Sequence, residues 1–200
     1  MKQTNRIEFA NGGRITYPIV EEQPQDKAKV VSFEALAGRS IYNLKKCGDC
    51  HNQGAKAFTA IKNNYDAAGH AKHATDLNLA LVLGEAKSPR AQKKLLEKEA
   101  DALTAYWASR KEADAAPENF VTAGLVMVKE SCRNCHLIQG KGDESGVPLA
   151  GVGAKRDYKW LYDHFVDPQK FVKDSTMPKF GEKLSKAELE ALTAYMASWK

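Results

Sequence analysis

The sequence predicts an all-α protein built of two similar halves in tandem. Three observations carry that reading. Apolar residues recur at helical spacing in several windows. The word Ala-Leu-Thr-Ala-Tyr at 102–106 returns unchanged at 191–195, and the match continues through Ala108-Ser109 and Ala197-Ser198. No segment alternates strongly enough to predict a strand.

Taken in order, residues 1–30 read as an irregular arm, with Gly12-Gly13, Pro18 and Pro24. A leading helix is expected from about Phe33 to Lys46. A closing helix starts at Ser88, which can cap it, with Pro89 at the first helical position. Leu96, Leu103, Tyr106 and Trp107 line its apolar face. Residues 112–119 are polar and read as a linker between a first domain at 31–111 and a second at 120–200. The second half repeats the plan. A leading helix runs from about Phe120 to Ser131. The closing helix opens on a Ser185/Glu188 capping box and carries Leu189, Leu192, Met196 and Trp199 at helical spacing, with Tyr195 beside them. Gly38 and Gly124 stand nine and eight residues before similar cysteines. Each would let a closing helix cross closely, with Tyr106 or Tyr195 packing there.

Composition sets the broad class. Of 200 residues, 43% are hydrophobic and 28% charged, which excludes intrinsic disorder and collagen-like structure. No apolar run approaches the roughly 18 residues of a membrane span. The net charge of +5 is spread over both halves. Basic and aromatic residues are not interleaved, so nucleic-acid binding is not expected.

The four cysteines all fall in two words, Cys47-Gly48-Asp49-Cys50-His51 and Cys132-Arg133-Asn134-Cys135-His136. C-x-x-C-H is the attachment sequence for c-type haem. The two thiols bond to one porphyrin, and the adjoining histidine offers a ring nitrogen to the iron. Its other nitrogen is expected to donate to a backbone carbonyl, which fixes the ring. Three other readings compete less well. Zinc ribbons space their pairs about 15–20 residues apart, but Cys50 and Cys132 lie 82 apart. A thioredoxin-like pair needs a βαβ setting, and these flanks read helical. Disulfides would leave His51 and His136 unexplained. Two covalently bound haem c groups are therefore expected, held by Cys47, Cys50 and His51 and by Cys132, Cys135 and His136.

The opposite axial ligand differs between the halves. In the second, Ser175-Thr176-Met177-Pro178-Lys179-Phe180 forms a polar loop before the closing helix. Its thioether can bind iron, and Pro178 would stiffen the approach. Met127 and Met196 fall on apolar helix faces and read as core.

Pro148-Leu149-x-Gly151, Trp160-Leu161-x-x-His164-x-x-Asp167-Pro168, Met177-Pro178 and the closing Ala-Tyr helix resemble class I cytochromes c. The likeness is greatest to c-type subunits of quinol-oxidising and oxygen-reducing respiratory complexes, and it covers residues 120–200. It implies two tandem class I cytochrome c domains, His136/Met177 ligation, Pro148 in a proximal loop facing His136, and a structural His164.

The first half departs from that pattern. Shifting Met177 by the repeat distance lands on Ser88, and no methionine occurs between Met1 and Met127. The candidates are His73 and His70, three apart and on one face if that stretch is helical. His73 is preferred because it begins the apolar run Leu77, Leu79, Leu81, which should pack over the ring. Lys87 and an open site are the alternatives.

Thioether ligation raises haem potential relative to imidazole. The expected function is thus an electron relay rather than an enzyme, entering at the low-potential first haem and leaving at the second. Lysines 170, 173, 179, 183 and 186 around Met177 could steer docking to an acidic partner. The partners expected are redox proteins: a quinol-oxidising complex, a terminal oxidase or a dehydrogenase. One rival is a haem enzyme whose open first site reduces peroxide, nitrite or oxygen. Another is the electron-acceptor subunit of a dehydrogenase, such as one oxidising sulfur compounds. Haem attachment to this motif implies a periplasmic or otherwise exported location. Residues 1–20 lack an apolar signal region, so a leader or membrane anchor is expected to have been removed, or the natural start lies elsewhere.

Overall fold

A computed structural model describes residues 4–8, 14–18, 30–51 and 67–200. The chain divides into two units, residues 1–30 and 31–200.

The first unit corrects the expectation that no strand forms. Strands β1 (Thr4–Glu8) and β2 (Arg14–Pro18) pair antiparallel, with Ile7 opposite Ile15 and Asn5 opposite Tyr17. The signal was the β-branched stretch Ile15-Thr16 before Tyr17, with Asn11-Gly12-Gly13 supplying turn residues. Each strand has only five residues, too short for its alternation to stand out. The rest of the expected arm lies outside the described residues.

The second unit is helical. Helix α1 (Phe33–Leu44) starts where the Ser32 side chain accepts from the Ala35 amide at 3.2 Å. The first haem word forms α2 (Cys47–His51), and α3 (Ala67–Asp76) carries both candidate histidines. The closing helix α4 (Pro89–Ala108) opens on the expected Ser88 cap, whose hydroxyl accepts from the Ala91 amide. Helix α5 (Arg110–Asp114) follows, and then α6 (Glu118–Lys129), the second leading helix. The second word adopts a 3-10 turn at Cys132–Asn134. Helices α7 (Val152–Lys155) and α8 (Tyr158–Val166) precede α9 (Lys186–Ala197), which carries the complete Ser185/Glu188 capping box. Among the described residues no helix is long and apolar enough to cross a membrane.

Packing centres on α1, which lies against both α4 and α6. Gly38 behaves as expected: a Cβ there would come within 2.0 Å of the Ala102 carbonyl oxygen and 2.6 Å of Tyr106 Cβ. Gly124 does not. It faces α1 rather than its own closing helix, and its Cβ would meet Leu36 Cβ at 2.5 Å and the Phe33 carbonyl at 2.7 Å. The two leading helices are therefore in direct contact, and buried Leu36, Ile41, Leu103, Met127, Leu192 and Tyr195 join one core across both halves. The physical reason is size. A half of about 80 residues is marginal for a hydrophobic core alone, and the halves share theirs. Tyr195 packs on Phe120 at 5.2 Å, and its hydroxyl donates to the Val31 carbonyl at 2.6 Å.

The segment expected to be a polar linker is mostly structured. Ala113 is fully buried, and Arg39 of α1 donates to the Ala113 and Ala116 carbonyls at 3.1 and 2.8 Å and pairs with Glu118. Tyr106 donates to Asp114 at 2.7 Å. A guanidinium from the core thus caps a helix end that the sequence marks only as polar.

Candidate functional site

The two C-x-x-C-H words are entered in the same way. Lys45 and Glu130 end their helices with nearly equal backbone angles, and the next residues, Lys46 and Ser131, are left-handed at φ 54° and 58°. Lys46 and Ser131 donate to the carbonyls of Asn43 and Val128, and then accept from the amides of Asp49 and Asn134. The correspondence holds at a constant offset of 85 residues. Each non-glycine left-handed residue costs roughly 1–2 kcal/mol. Its recurrence directly before both first cysteines makes it part of how the word is turned.

The four thiols are unbridged. Burial pushes the Cys47 thiol up, and burial, reinforced by Glu130, pushes Cys132 up to about 12. Reactive redox cysteines and thiolate metal ligands need the opposite shift. Among the described residues no three His, Cys, Asp or Glu side chains converge on a point that could hold a bare metal ion.

In the second half, His136 Nδ1 donates to the Val147 carbonyl at 2.8 Å. That bond fixes the ring and leaves Nε2 for a metal. The acceptor is the carbonyl just before Pro148, in the loop that was expected to face His136. Gly146 makes this approach feasible: a Cβ there would lie 2.7 Å from both Cε1 and Nδ1 of His136. Met177 sits half-buried against the core in the loop before a 3-10 turn at Phe180–Glu182. Its amide donates to Ser175 Oγ at 3.3 Å, Lys179 pairs with Asp167 at 3.2 Å, and buried Phe180 anchors the loop end. The Asp167-Pro168 motif therefore holds the methionine loop. His164 stacks on Trp160 at 4.6 Å, with Phe171 at 5.4 Å. Burial, and then the charges of His136 and Arg156, push its pKa down, which favours the neutral ring. Of the five lysines near Met177, Lys179, Lys183 and Lys186 face Asp167, Glu130 and Glu190, while Lys170 and Lys173 are exposed.

In the first half, α3 separates its two histidines. His73 is exposed, and its ring centroid lies 6.1 Å from that of His51. Two imidazoles on opposite sides of one metal, with bonds of about 2.0 Å, have centroids roughly 6 Å apart. His70 is fully buried, with Nε2 3.1 Å from Glu99 Oε2. Of the run thought to cover a ring, Leu77 is exposed and Leu79 and Leu81 are half-buried; Leu83 is the residue that joins the core. The residues at both words thus fit the group their sequence implies: paired thiols two residues apart, an adjoining histidine, and in the first half a second imidazole whose centroid is 6.1 Å away.

Sequence reasoning missed Gly146, the Val147 carbonyl and the buried partners of His70. Glu99 had left a signal, because it stands on the apolar stripe between Leu96 and Leu103. Arg133, inside the second word, was also overlooked. It pairs with Glu34 of α1 and lies 4.6 Å over the Phe33 ring, which binds that word to the first half.

Residues 121–200 match the family model for cytochrome c, which supports a c-type cytochrome with covalently bound haem and a role in electron transfer. No curated protein matches the chain, and no solved structure matches it.

Proposed function

We propose that the chain is a dihaem electron relay of two tandem class I cytochrome c domains, receiving electrons at the first haem and passing them on from the second. The observation that carries this reading is the repeated entry geometry of the two words, left-handed residue and hydrogen bonds included. A haem held at each would supply a one-electron iron couple. Cys47 and Cys50 would anchor the first, and His51 and His73 would offer nitrogens to its iron. Cys132 and Cys135 would anchor the second, with His136 and Met177 offering an imidazole and a thioether. The Val147 carbonyl orients His136 and makes it a better donor. The thioether of Met177 favours reduced iron, and a second imidazole at His73 does not, so the first haem is the lower in potential.

The reading places the protein in an exported compartment, beside a donor and an acceptor redox protein. Lys170, Lys173, Lys183 and Lys186 are exposed charges available for docking an acidic partner, the last two beside Glu130 and Glu190. A second reading, a small-ligand reductase at an open first haem, is disfavoured by the His73 imidazole, whose centroid lies 6.1 Å from that of His51. A potentiometric titration of holoprotein carrying two haems per chain tests the relay. It should resolve two one-electron waves, with the lower belonging to the Cys47/Cys50 haem. Equal or inverted potentials would sink the proposed direction.

A further inference from the structure

Behind α3 lies a charged network that the relay does not use. Glu99 of α4 is fully buried, as are the side chains of Lys45 and His70. Lys45 Nζ lies 3.0 Å from Glu99 Oε2 and donates to the Ala80 carbonyl at 2.6 Å. His70 Nε2 shares the same carboxylate oxygen. Glu99 Oε1 accepts from the Val82 amide at 2.6 Å. One carboxylate therefore joins the residue two before Cys47, the middle of α3, and the strand of chain that follows α3.

Such a network is a poor way to gain stability, because desolvating its charges offsets most of their attraction. Its geometry suggests another use. His70 and His73 are three residues apart on one short helix, so holding His70 fixes where His73 points. The second half has no counterpart. At the offsets that superimpose the words and the closing helices, Lys45 becomes Glu130 and Glu99 becomes Glu188. Glu130 faces Lys183, and Glu188 is spent on the capping box. The half whose distal residue is a methionine on a loop lacks the network, and the half whose distal residue is a histidine on a helix has it.

We propose that Lys45, Glu99 and His70 are positioning residues that hold α3 so that His73 stands opposite His51 and closes the first haem to outside ligands. This rests on the bis-imidazole reading above. His70 is a tether and not an alternative ligand.

The test uses purified dihaem protein, with ferric near-infrared magnetic circular dichroism and EPR to read ligation, and carbon monoxide binding to the ferrous form to read closure. His73→Ala should lose the bis-imidazole signature and bind carbon monoxide at one haem per chain. His70→Leu should keep both haems and the His/Met signature. It should nonetheless turn part of the first haem high-spin and speed carbon monoxide binding there at least tenfold. His70→Gln, whose amide can still donate to Glu99, should recover most of the slow binding. If His70→Leu gives no holoprotein, Glu99→Gln, which keeps the volume, decides the matter by a change in the same direction. Unchanged ligation and binding rate in these variants, with His73→Ala still losing the signature, would overturn the positioning role and leave the ligation standing. A signature that survives His73→Ala but not His70→Leu would overturn the ligation itself.

Discussion

His136 is oriented by one hydrogen bond and by the lack of one methyl group. Adding that methyl as Gly146→Ala would place a carbon 2.7 Å from the ring, well inside van der Waals contact. The ring must turn or the loop must shift, and either weakens the bond to the Val147 carbonyl. We expect Gly146→Ala to broaden or lose the near-infrared His/Met signature while the bis-imidazole one persists. Met177→His acts on the opposite ligand and should lower the potential of the second haem toward that of the first, as read by redox titration. Lys46 offers a stability test at the same scale. Glycine there would relieve about 1–2 kcal/mol of left-handed strain against about 0.4–1 kcal/mol of added chain entropy. Lys46→Gly should therefore raise the thermal midpoint slightly, since its side chain is exposed.

Helices meet here through glycines and through one carboxylate. Gly124→Ala would force α6 away from Leu36 and Phe33, overpacking the contact between the leading helices at about 1–3 kcal/mol. For a chain of this size that is a fall of several degrees in melting temperature. Glu99 gives a pH signature. Burial pushes its carboxyl up, but hydrogen bonds from His70, the Val82 amide and Lys45 outweigh burial and hold it below the usual value of 4.5. A depressed carboxyl contributes stability above its unfolded value and loses it as pH falls through the folded one. The advantage of the native protein over Glu99→Gln should be full above pH 4.5 and shrink in more acid solution, as followed by denaturant midpoints. The helices themselves were legible because their caps are local: Ser88, Ser185 and Glu188 bond within four residues. The partner of Gly124, the Arg39 cap on α5 and the Glu99 network were not. Each joins residues distant in sequence, and periodicity says which face is buried but not against what. The strand pair of residues 4–8 and 14–18 failed for the opposite reason, since its strands are too short to announce themselves.

At the scale of the molecule, the two words were legible as chemistry, because every cysteine lies in one and a histidine follows each. The difference between the halves was visible too, as a proline that persists at Pro89 and Pro178 beside a methionine that does not. Both His70 and His73 stood as candidates in the sequence, with His73 preferred. Two imidazoles three residues apart share a face, and only packing puts His70 Nε2 3.1 Å from Glu99 and the His73 ring centroid 6.1 Å from that of His51. The shared core adds a mechanical consequence. Arg133 and Glu34, with Gly124 against α1, tie the second word to the first half, so the two words are joined through one shared core. Unlike ligation at the two words is the central expectation. Low-temperature EPR with near-infrared magnetic circular dichroism of the ferric dihaem protein tests this most directly. The account predicts two low-spin centres in equal amount, one with the charge-transfer signature of imidazole–imidazole iron and one with that of imidazole–thioether iron. A single type of low-spin centre, or a stoichiometric high-spin one at the first haem, would contradict it.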